Sequence, residues 1–338
     1  MKPRQIFISI LAVLFVFPVM GTFAQQASNS GSIEVITSFD YPGAGNLTLP
    51  QKVNERGDVV GEFIDSSGVT RGFVRFSDGS FSAPIVDPND TVGFTEGRGI
   101  NNAGTVTGDY VTTSGSARSF FLSGSTFTEY TVPGAAQTDL LSITDSGDFT
   151  GGFDDGSGIF QAFVSHGGTI TSWSVPGASL TLAYETNNNK KLVVGYYTVG
   201  TPAVLHGYYR DANGALHFPI DPAGSTSTVL FGLNNKNLVV GRYASSGVTH
   251  GLFFIPPNNF FTFDYPGATF TSLNGINEQG VICGRYADAS GTHGFLARVR
   301  GTPPTTPAGA EMKANVSPSL DAPLDLSPSA WGGAMPAR

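Results

Sequence analysis

The chain has 338 residues, with 18 basic and 26 acidic side chains, one cysteine, 44 glycines and 26 phenylalanines, and charged residues make up 13% of it. So little lysine, arginine and glutamate leaves no solvent face for amphipathic helices, a lone cysteine excludes a disulfide framework, and a net charge of −8 excludes a basic nucleic-acid binder. What remains is a folded, turn-rich protein with an aromatic core.

Residues 1–24 read as a secretory signal peptide. Lys2 and Arg4 give a positive start, Ile6 to Val19 an apolar stretch, and Thr22-Phe23-Ala24 small residues at the cleavage positions. The stretch is short for a membrane anchor and contains Pro18, and no later segment is apolar enough to span a bilayer. Cleavage removes two bases and leaves a net charge of −10, so the expectation is a secreted, periplasmic or extracellular protein without non-specific affinity for nucleic acid or anionic lipid. Residues 25–32 then read as a linker.

From 33 to 300 the chain repeats. The hexapeptide Phe-Asp-Tyr-Pro-Gly-Ala stands at 39–44 and again at 263–268. A glycine in the pattern Val-x-Gly-x-aromatic, often degenerate, falls at 61, 108, 151, 195, 241 and 284, at intervals of 47, 43, 44, 46 and 43. Two residues after each glycine stands Phe63, Tyr110, Phe153, Tyr197, Tyr243 or Tyr286, and seven before it a turn former: Asn54, Asn101, Thr144, Asn188, Asn234 or Asn277. Prolines mark the same six units at 42, 88, 133, 176, 222 and 266. The period is the first thing to establish, because missing it miscalls the fold.

Each unit reads as four short strands between turn signals. In the sixth unit they are Thr271 to Ile276, Val281 to Tyr286 and Thr292 to Val299, with the fourth type seen upstream as Phe260 to Tyr265. Asn277 to Gly280 and Asp288 to Gly291 make the hairpins, as Asn54 to Gly57 and Asp65 to Gly68 do in the first unit. Four strands in about 45 residues suit a propeller blade, whereas a β-helix coil uses roughly half that length. The fold class is therefore all-β: a six-bladed β-propeller. The sixth unit lacks its fourth strand, and a spare strand precedes the first unit, so residues 33–41 are expected to pair with Thr292 to Val299 and lock the ring. Residues 301–338, with seven prolines and no apolar alternation, read as a disordered tail containing Trp331 as its lone large aromatic.

The residues following the second hairpin resemble the probable extracellular repeat family named HAF for its His-Ala-Phe tripeptide. The matching places are His293-Gly294-Phe295, His250-Gly251-Leu252, His206-Gly207-Tyr208, Gln161-Ala162-Phe163, Arg71-Gly72-Phe73 and Arg118-Ser119-Phe120. None carries the tripeptide in full. The resemblance implies export and a repeat architecture, and no chemistry.

Local catalytic motifs are missing: there is no Gly-x-Ser-x-Gly, His-Glu-x-x-His, Gly-x-x-x-x-Gly-Lys or Cys-x-x-Cys. His206, His250 and His293 share one register, but on third strands identical positions diverge from blade to blade, too far apart to share an ion, so they read as structural donors. The turns at Asp65, Asp154, Asp155 and Asp288 each offer one or two carboxylates, too few for calcium. Cys283 reads as a buried structural thiol. The position after each repeat glycine carries Glu62 and Asp109 in the first two units and Arg242 and Arg285 in the last two, so Arg285 is expected to face Glu62 across the seam; the register reads as an inter-blade ion pair or a solvated pattern, with ligand contact as the alternative. No cofactor or metal is implied.

Innermost strands deliver residues to the central channel. Two residues before the turn marker the side chains are mostly small (Gly99, Ser142, Thr186, Gly232, Gly275). One further back stand Gln51, Arg98, Glu185 and Asn274, interrupted by Leu141 and Phe231. With Lys52 and Glu96, these four form the candidate ligand-binding mouth. The reading is a monomeric, secreted binding or scaffold module for an extracellular or envelope glycan or protein. The alternative is a propeller hydrolase or lyase on an extracellular carbohydrate, with Glu96, Glu185 or Asp139 as its acids.

Overall fold

A computed structural model describes residues 32–189, 192–300 and 310–311. The signal peptide, most of the linker and all of the tail except Ala310 and Glu311 lie outside the described residues. Every regular element described is a strand, so none is a helix long and apolar enough to cross a membrane.

The strands fall into six antiparallel blades. β1 (Ser32–Phe39) precedes the first, which holds β2 (Ala44–Val53), β3 (Val59–Asp65) and β4 (Thr70–Arg75). The second comprises β5 (Thr95–Ile100), β6 (Val106–Val111), β7 (Ala117–Ser123) and β8 (Thr126–Tyr130). The third comprises β9 (Gln137–Ile143), β10 (Phe149–Asp154), β11 (Phe160–His166) and β12 (Thr169–Trp173). In the fourth are β13 (Leu180–Thr186), β14 (Leu192–Val199), β15 (Val204–Asp211) and β16 (Leu216–Ile220). The fifth has β17 (Ser227–Leu233), β18 (Val239–Ser245), β19 (Val248–Ile255) and β20 (Asn259–Phe263). The sixth has β21 (Phe270–Ile276), β22 (Val281–Asp288) and β23 (Gly291–Arg300). β24 (Ala310–Glu311) lies parallel to β20.

The sixth blade is completed from the other end of the chain. β1 pairs antiparallel with β23, from Ser32 opposite Arg300 to Phe39 opposite Gly294, and Leu47 of β2 bridges Thr292 to join the first blade to the last. The first blade departs from the pattern: its fourth strand is reduced to bridges at Phe81 and Ile85. Pro84 lies between them and cannot donate to a ladder.

The repeat glycine has a steric cause. In every blade the first strand carries a β-bulge, and the residue left out of the pairing is Gln51, Arg98, Leu141, Tyr184, Phe231 or Asn274. The repeat glycine of the second strand sits beside that bulge, where the first strand's carbonyl occupies the place of a Cβ: Leu49, Glu96, Asp139, Leu182, Val229 and Ser272 supply those oxygens in turn. On the other side, rings such as Phe120, Phe163 and Phe295 close over the glycine. Only a residue without a side chain fits.

The hexapeptide and the histidines are two halves of one joint. Asp40 and Asp264 end outer strands and bind His293 and His250 at 2.9 Å; Asp221 does the same for His206 at 2.6 Å. Each imidazole also lies against the aromatic that follows its blade's repeat glycine, with centroids 5.1–5.4 Å apart for Tyr243, Tyr286 and Tyr197. The next hexapeptide residue crosses to the following blade: Tyr41 stacks on Phe63 at 3.8 Å and Tyr265 on Tyr286 at 3.7 Å. Pro-Gly then turns the chain, with Gly43 and Gly267 at φ of 90° and 79° and bonds from Ala44 N to Tyr41 O and from Ala268 N to Tyr265 O. The histidines are thus structural donors, to the outer strand of their own blade.

At the opposite face the first hairpin turns are linked around the ring. The side chains of Asn54, Asn101, Asn234 and Asn277 donate to the carbonyls of Asn101, Thr144, Asn277 and Asn54 respectively, at 3.0–3.5 Å. A second circuit runs one residue later. The amides of Glu55, Asn102, Asp145, Asn189, Asn235 and Glu278 donate to the side chains of Asn102, Asp145, Asn188, Asn235, Glu278 and Glu55. In the fourth blade the turn is one residue longer, closing from Asn187 N to Leu192 O, where the first closes from Asn54 N to Asp58 O. Asn187, not Asn188, therefore occupies the marker position, with its Oδ1 accepting from Leu192 N.

Two outcomes follow. Gly151→Ala drives a methyl group into the Asp139 carbonyl and is expected to cost about 1–3 kcal/mol in urea unfolding. His293 has its pKa raised above 6.5 by its bond to Asp40, against the opposing effect of burial. Its contribution is complete below the unfolded value and lost as pH rises through the folded one. The Tm deficit of Asp40→Asn relative to the parent should be larger at about pH 5.5 than at about pH 9, measured by thermal unfolding.

Candidate functional site

The six bulge residues form a layer around the channel. Gln51, Arg98, Leu141, Tyr184, Phe231 and Asn274 are all buried, aimed inward by the same local irregularity in six strands. Glu185 is not one of them. The longer turn of the fourth blade shifts its numbering by one, so Tyr184 takes the place expected for Glu185, and Glu185 the place expected for Thr186.

That shift creates a plug. The layer below the bulges holds Lys52, Gly99, Ser142, Glu185, Gly232 and Gly275. Lys52 Nζ reaches Glu185 Oε2 at 2.6 Å and Phe231 O at 2.5 Å. Leu233 N donates to the same carboxylate at 3.3 Å, and Ser142 Oγ donates to Oε1 at 3.4 Å. The glycines make room: a Cβ on Gly275 would lie 3.0 Å from the Lys52 Cα, and one on Gly232 3.0 Å from the Gly275 Cα. Burial raises the Glu185 carboxyl, and Lys52 opposes the rise. Lys52 and Glu185 hold together the mouth that carries the asparagine turns.

Gln51 and Asn274 belong to the bulge layer and bond to each other, Asn274 Nδ2 to Gln51 Oε1 at 3.4 Å. Gln51 also donates to Glu62 Oε1 at 2.8 Å, and Ser272 Oγ donates to Asn274 Oδ1 at 2.8 Å. The expected ion pair between Glu62 and Arg285 is not formed. Arg285 Nε and Nη1 and Glu62 Oε2 are buried without hydrogen-bond partners among the described residues. The side chains influence each other through their charges, but Glu62 is engaged by Gln51 instead.

Glu96 and Arg98 open onto the opposite mouth. There a cavity of about 380 Å³ lies under the β3–β4 and β6–β7 hairpins, and its polar floor is made by Glu96, Arg98, Asp109 and Asp139. Tyr184, Tyr196, Leu141 and Leu182 line one wall, Val92, Phe94 and Val111 the other. Arg98 binds Glu96 and lies 3.8 Å from Asp109 Oδ2. Asp109 Oδ1 accepts from Ser119 Oγ and from Leu140 N at 3.2 Å. Burial raises the Asp109 carboxyl well above the carboxylate range, and the charge of Asp139 raises it further. Asp139 is pushed up by burial to about 6, against the pull of Arg98. Burial thus works against ionisation on this floor while Arg98 favours the charged forms, and carboxyl and guanidinium groups stand side by side.

Asp109, Tyr184 and Tyr196 were not among the expected mouth residues. Asp109 and Tyr196 follow repeat glycines, a register that was visible but read first as ion pairing or a solvated pattern, with ligand contact as the alternative. Tyr184 was hidden by the extra residue in its turn. Cys283 is buried among Val53, Val59, Val281 and Leu296, and burial pushes its thiol up to about 12.

Breaking the plug tests its charge pairing. Lys52→Met strands Glu185 without its cation and is expected to cost about 3–5 kcal/mol, with Lys52→Met/Glu185→Leu recovering much of the loss in urea unfolding.

No family model matches the chain, and no curated protein matches it. Solved structures do. AofleA from Arthrobotrys oligospora overlays with a TM-score of 0.51 at 11% identity, covering 81% of this chain and 91% of that one. A mutant Aleuria aurantia lectin in complex with alpha-methyl-L-fucoside overlays with a TM-score of 0.45 at 13% identity, covering 83% and 97%. TolB from Acinetobacter baumannii gives 0.44 at 11% identity, over 75% of this chain and 56% of TolB, so the chain spans little more than half that protein's length. At 11% identity the likeness to AofleA is one of fold, and the two overlays below 0.5 carry no argument. The chain is similar in architecture to β-propellers, as its own strand pairing independently establishes.

Proposed function

We propose that the chain is an exported β-propeller module that binds a small saccharide unit of an extracellular or envelope glycan in the cavity of Glu96, Arg98, Asp109, Asp139, Tyr184 and Tyr196. The carrying observation is the cavity's composition: three carboxyls and a guanidinium on the floor, with tyrosine and aliphatic walls. Sugar hydroxyls need donors and acceptors side by side, and the apolar faces of a sugar ring need aromatic or aliphatic walls. A volume of about 380 Å³ suits a small ligand rather than a protein surface. Export is supported by the amino-terminal segment, and HAF repeat membership by the His-Gly register that recurs in three units before Tyr208, Leu252 and Phe295. The monomer reading is supported by a ring that closes on the chain's own first strand.

A glycan array probed with the full mature chain should show selective binding, weakened at least about tenfold by Tyr196→Ala. An array without specific signal would remove the glycan reading.

One observation favours a second reading, a hydrolase or lyase at the same cavity. Asp139, held near 6 beside Asp109 and Glu96, has the protonation behaviour of a general acid at neutral pH. Of the acids considered from sequence, Glu96 and Asp139 share this cavity, while Glu185 is engaged by Lys52 at the other mouth. If the array ligand is cleaved, and Asp139→Asn binds it but no longer cleaves it, the protein is an enzyme. Binding without turnover leaves it a module.

A further inference from the structure

The larger cavity is unbalanced in charge: among its lining residues stand three carboxyls, Glu96, Asp109 and Asp139, and one guanidinium, Arg98. That guanidinium is already committed. Arg98 pairs with Glu96, and its Nε lies 3.8 Å from Asp109 Oδ2, close enough for an ion pair but too far for a hydrogen bond. Asp109 uses its Oδ1 on Ser119 Oγ and Leu140 N. Asp139 receives a hydrogen bond from the Gln137 side chain, but its Oδ1 is buried without a partner among the described residues. Arg98 is only 8% exposed, and its Nε is likewise buried without a hydrogen-bond partner.

The cavity lining therefore carries one unused carboxylate acceptor and one unused guanidinium donor. Leaving such buried groups unpaired is costly, and a ligand that supplies the missing partners recovers the loss. The charges also favour a cation. Asp109 and Asp139 are raised by burial, and Glu96 adds to the rise in both, while Arg98 is the cation that opposes it in both. Arg242 and Arg285 act on Tyr184 but are not among the lining residues. On the wall, the Tyr184 and Tyr196 rings stand 5.7 Å apart. Aromatic faces attract a cation as well as the apolar face of a sugar, and an ammonium is a compact charge with three donors.

We infer that the sugar received in this cavity carries a free amine: the ammonium of an amino sugar binds Asp139 Oδ1 beside Asp109, a sugar oxygen accepts from Arg98 Nε, and the ring lies against Tyr184 and Tyr196. The inference rests on the reading of the cavity as a saccharide site and adds the class of sugar. A neutral sugar can donate a hydroxyl to Asp139 but brings no charge, and acetylation removes the charge of the amine.

The test is calorimetric titration of the full mature chain at neutral pH and equal ionic strength with glucosamine hydrochloride, N-acetylglucosamine and glucose. Glucosamine should bind the parent tighter than either of the others by roughly tenfold or more, and Asp139→Asn should shrink that preference to roughly threefold or less. Equal affinity for the three sugars, or a preference for an uncharged one, overturns the amine and leaves the saccharide reading standing. No heat from any of them also overturns it, and the glycan array then decides the saccharide reading separately. A preference that survives Asp139→Asn intact overturns the assignment to that carboxylate. Should Asp139→Asn fail to fold, competition on the parent decides: methylammonium chloride should displace glucosamine where sodium chloride does not, and no displacement overturns the inference.

Discussion

The structure depends on one pairing, that of β1 with β23. Six blades pack face to face, so each buries its two faces only if the ring closes; an open ring would expose two apolar faces and two unpaired edges. The amino-terminal strand supplies the missing outer strand of the last blade along its whole length. Ile33 is buried there with Phe263, Phe295 and Ala297. His293 with Asp40, Arg300 with Glu34, and Ser38 with Tyr286 tie its rim. A chain with one cysteine has no internal covalent means of holding its ends, and the seam replaces it with a ladder, a buried core and polar clips.

From closure follows the geometry at the axis. Six first strands converge, and each relieves the crowding with a bulge that turns one side chain inward and pushes a carbonyl against the neighbouring glycine. The same irregularity therefore explains the repeat glycine and aims the site. Because the six bulge residues are chemically unlike, a near-symmetric scaffold yields an asymmetric channel. In the layers toward the cavity, Glu62, Glu96, Asp109, Asp139 and Arg98 gather on the first three blades, Tyr184 and Tyr196 on the fourth, and Arg242 and Arg285 on the fifth and sixth. The two mouths differ for the same reason. Lys52 and Glu185 bridge one, and the other opens into the carboxyl-floored cavity.

Much of the fold was legible because a repeat samples the same local physics six times. The glycine, the turn asparagine, the proline and the aromatic recur at positions whose backbone demands are identical, and the missing fourth strand of the last unit pointed to the spare strand at the start. The site was legible only in part. Glu96 and Arg98, expected at a mouth because first strands line a channel, line the larger cavity. Glu185 was placed in the wrong layer, because one extra residue between Asn187 and Leu192 displaced the count, and with it Tyr184 was missed. The supposed pair of Glu62 and Arg285 is equally adjacent in register, yet Gln51 intervenes, a competition between neighbours that no spacing reveals.

The amino-acid sequence by itself determined the class, the number of blades and the way the ring closes, since these follow from local turn chemistry and strand periodicity repeated along the chain. It also determined which residues must be small. What only the tertiary structure decided is which of the inward side chains meet. Lys52 finds Glu185 133 residues away, Asp109 finds Asp139 on the next blade, and Arg242 and Arg285 share one phenylalanine ring. Those meetings depend on distances across the axis, where a single inserted residue or a competing hydrogen bond redirects a side chain, and they set which carboxyls burial raises and which guanidinium is paired.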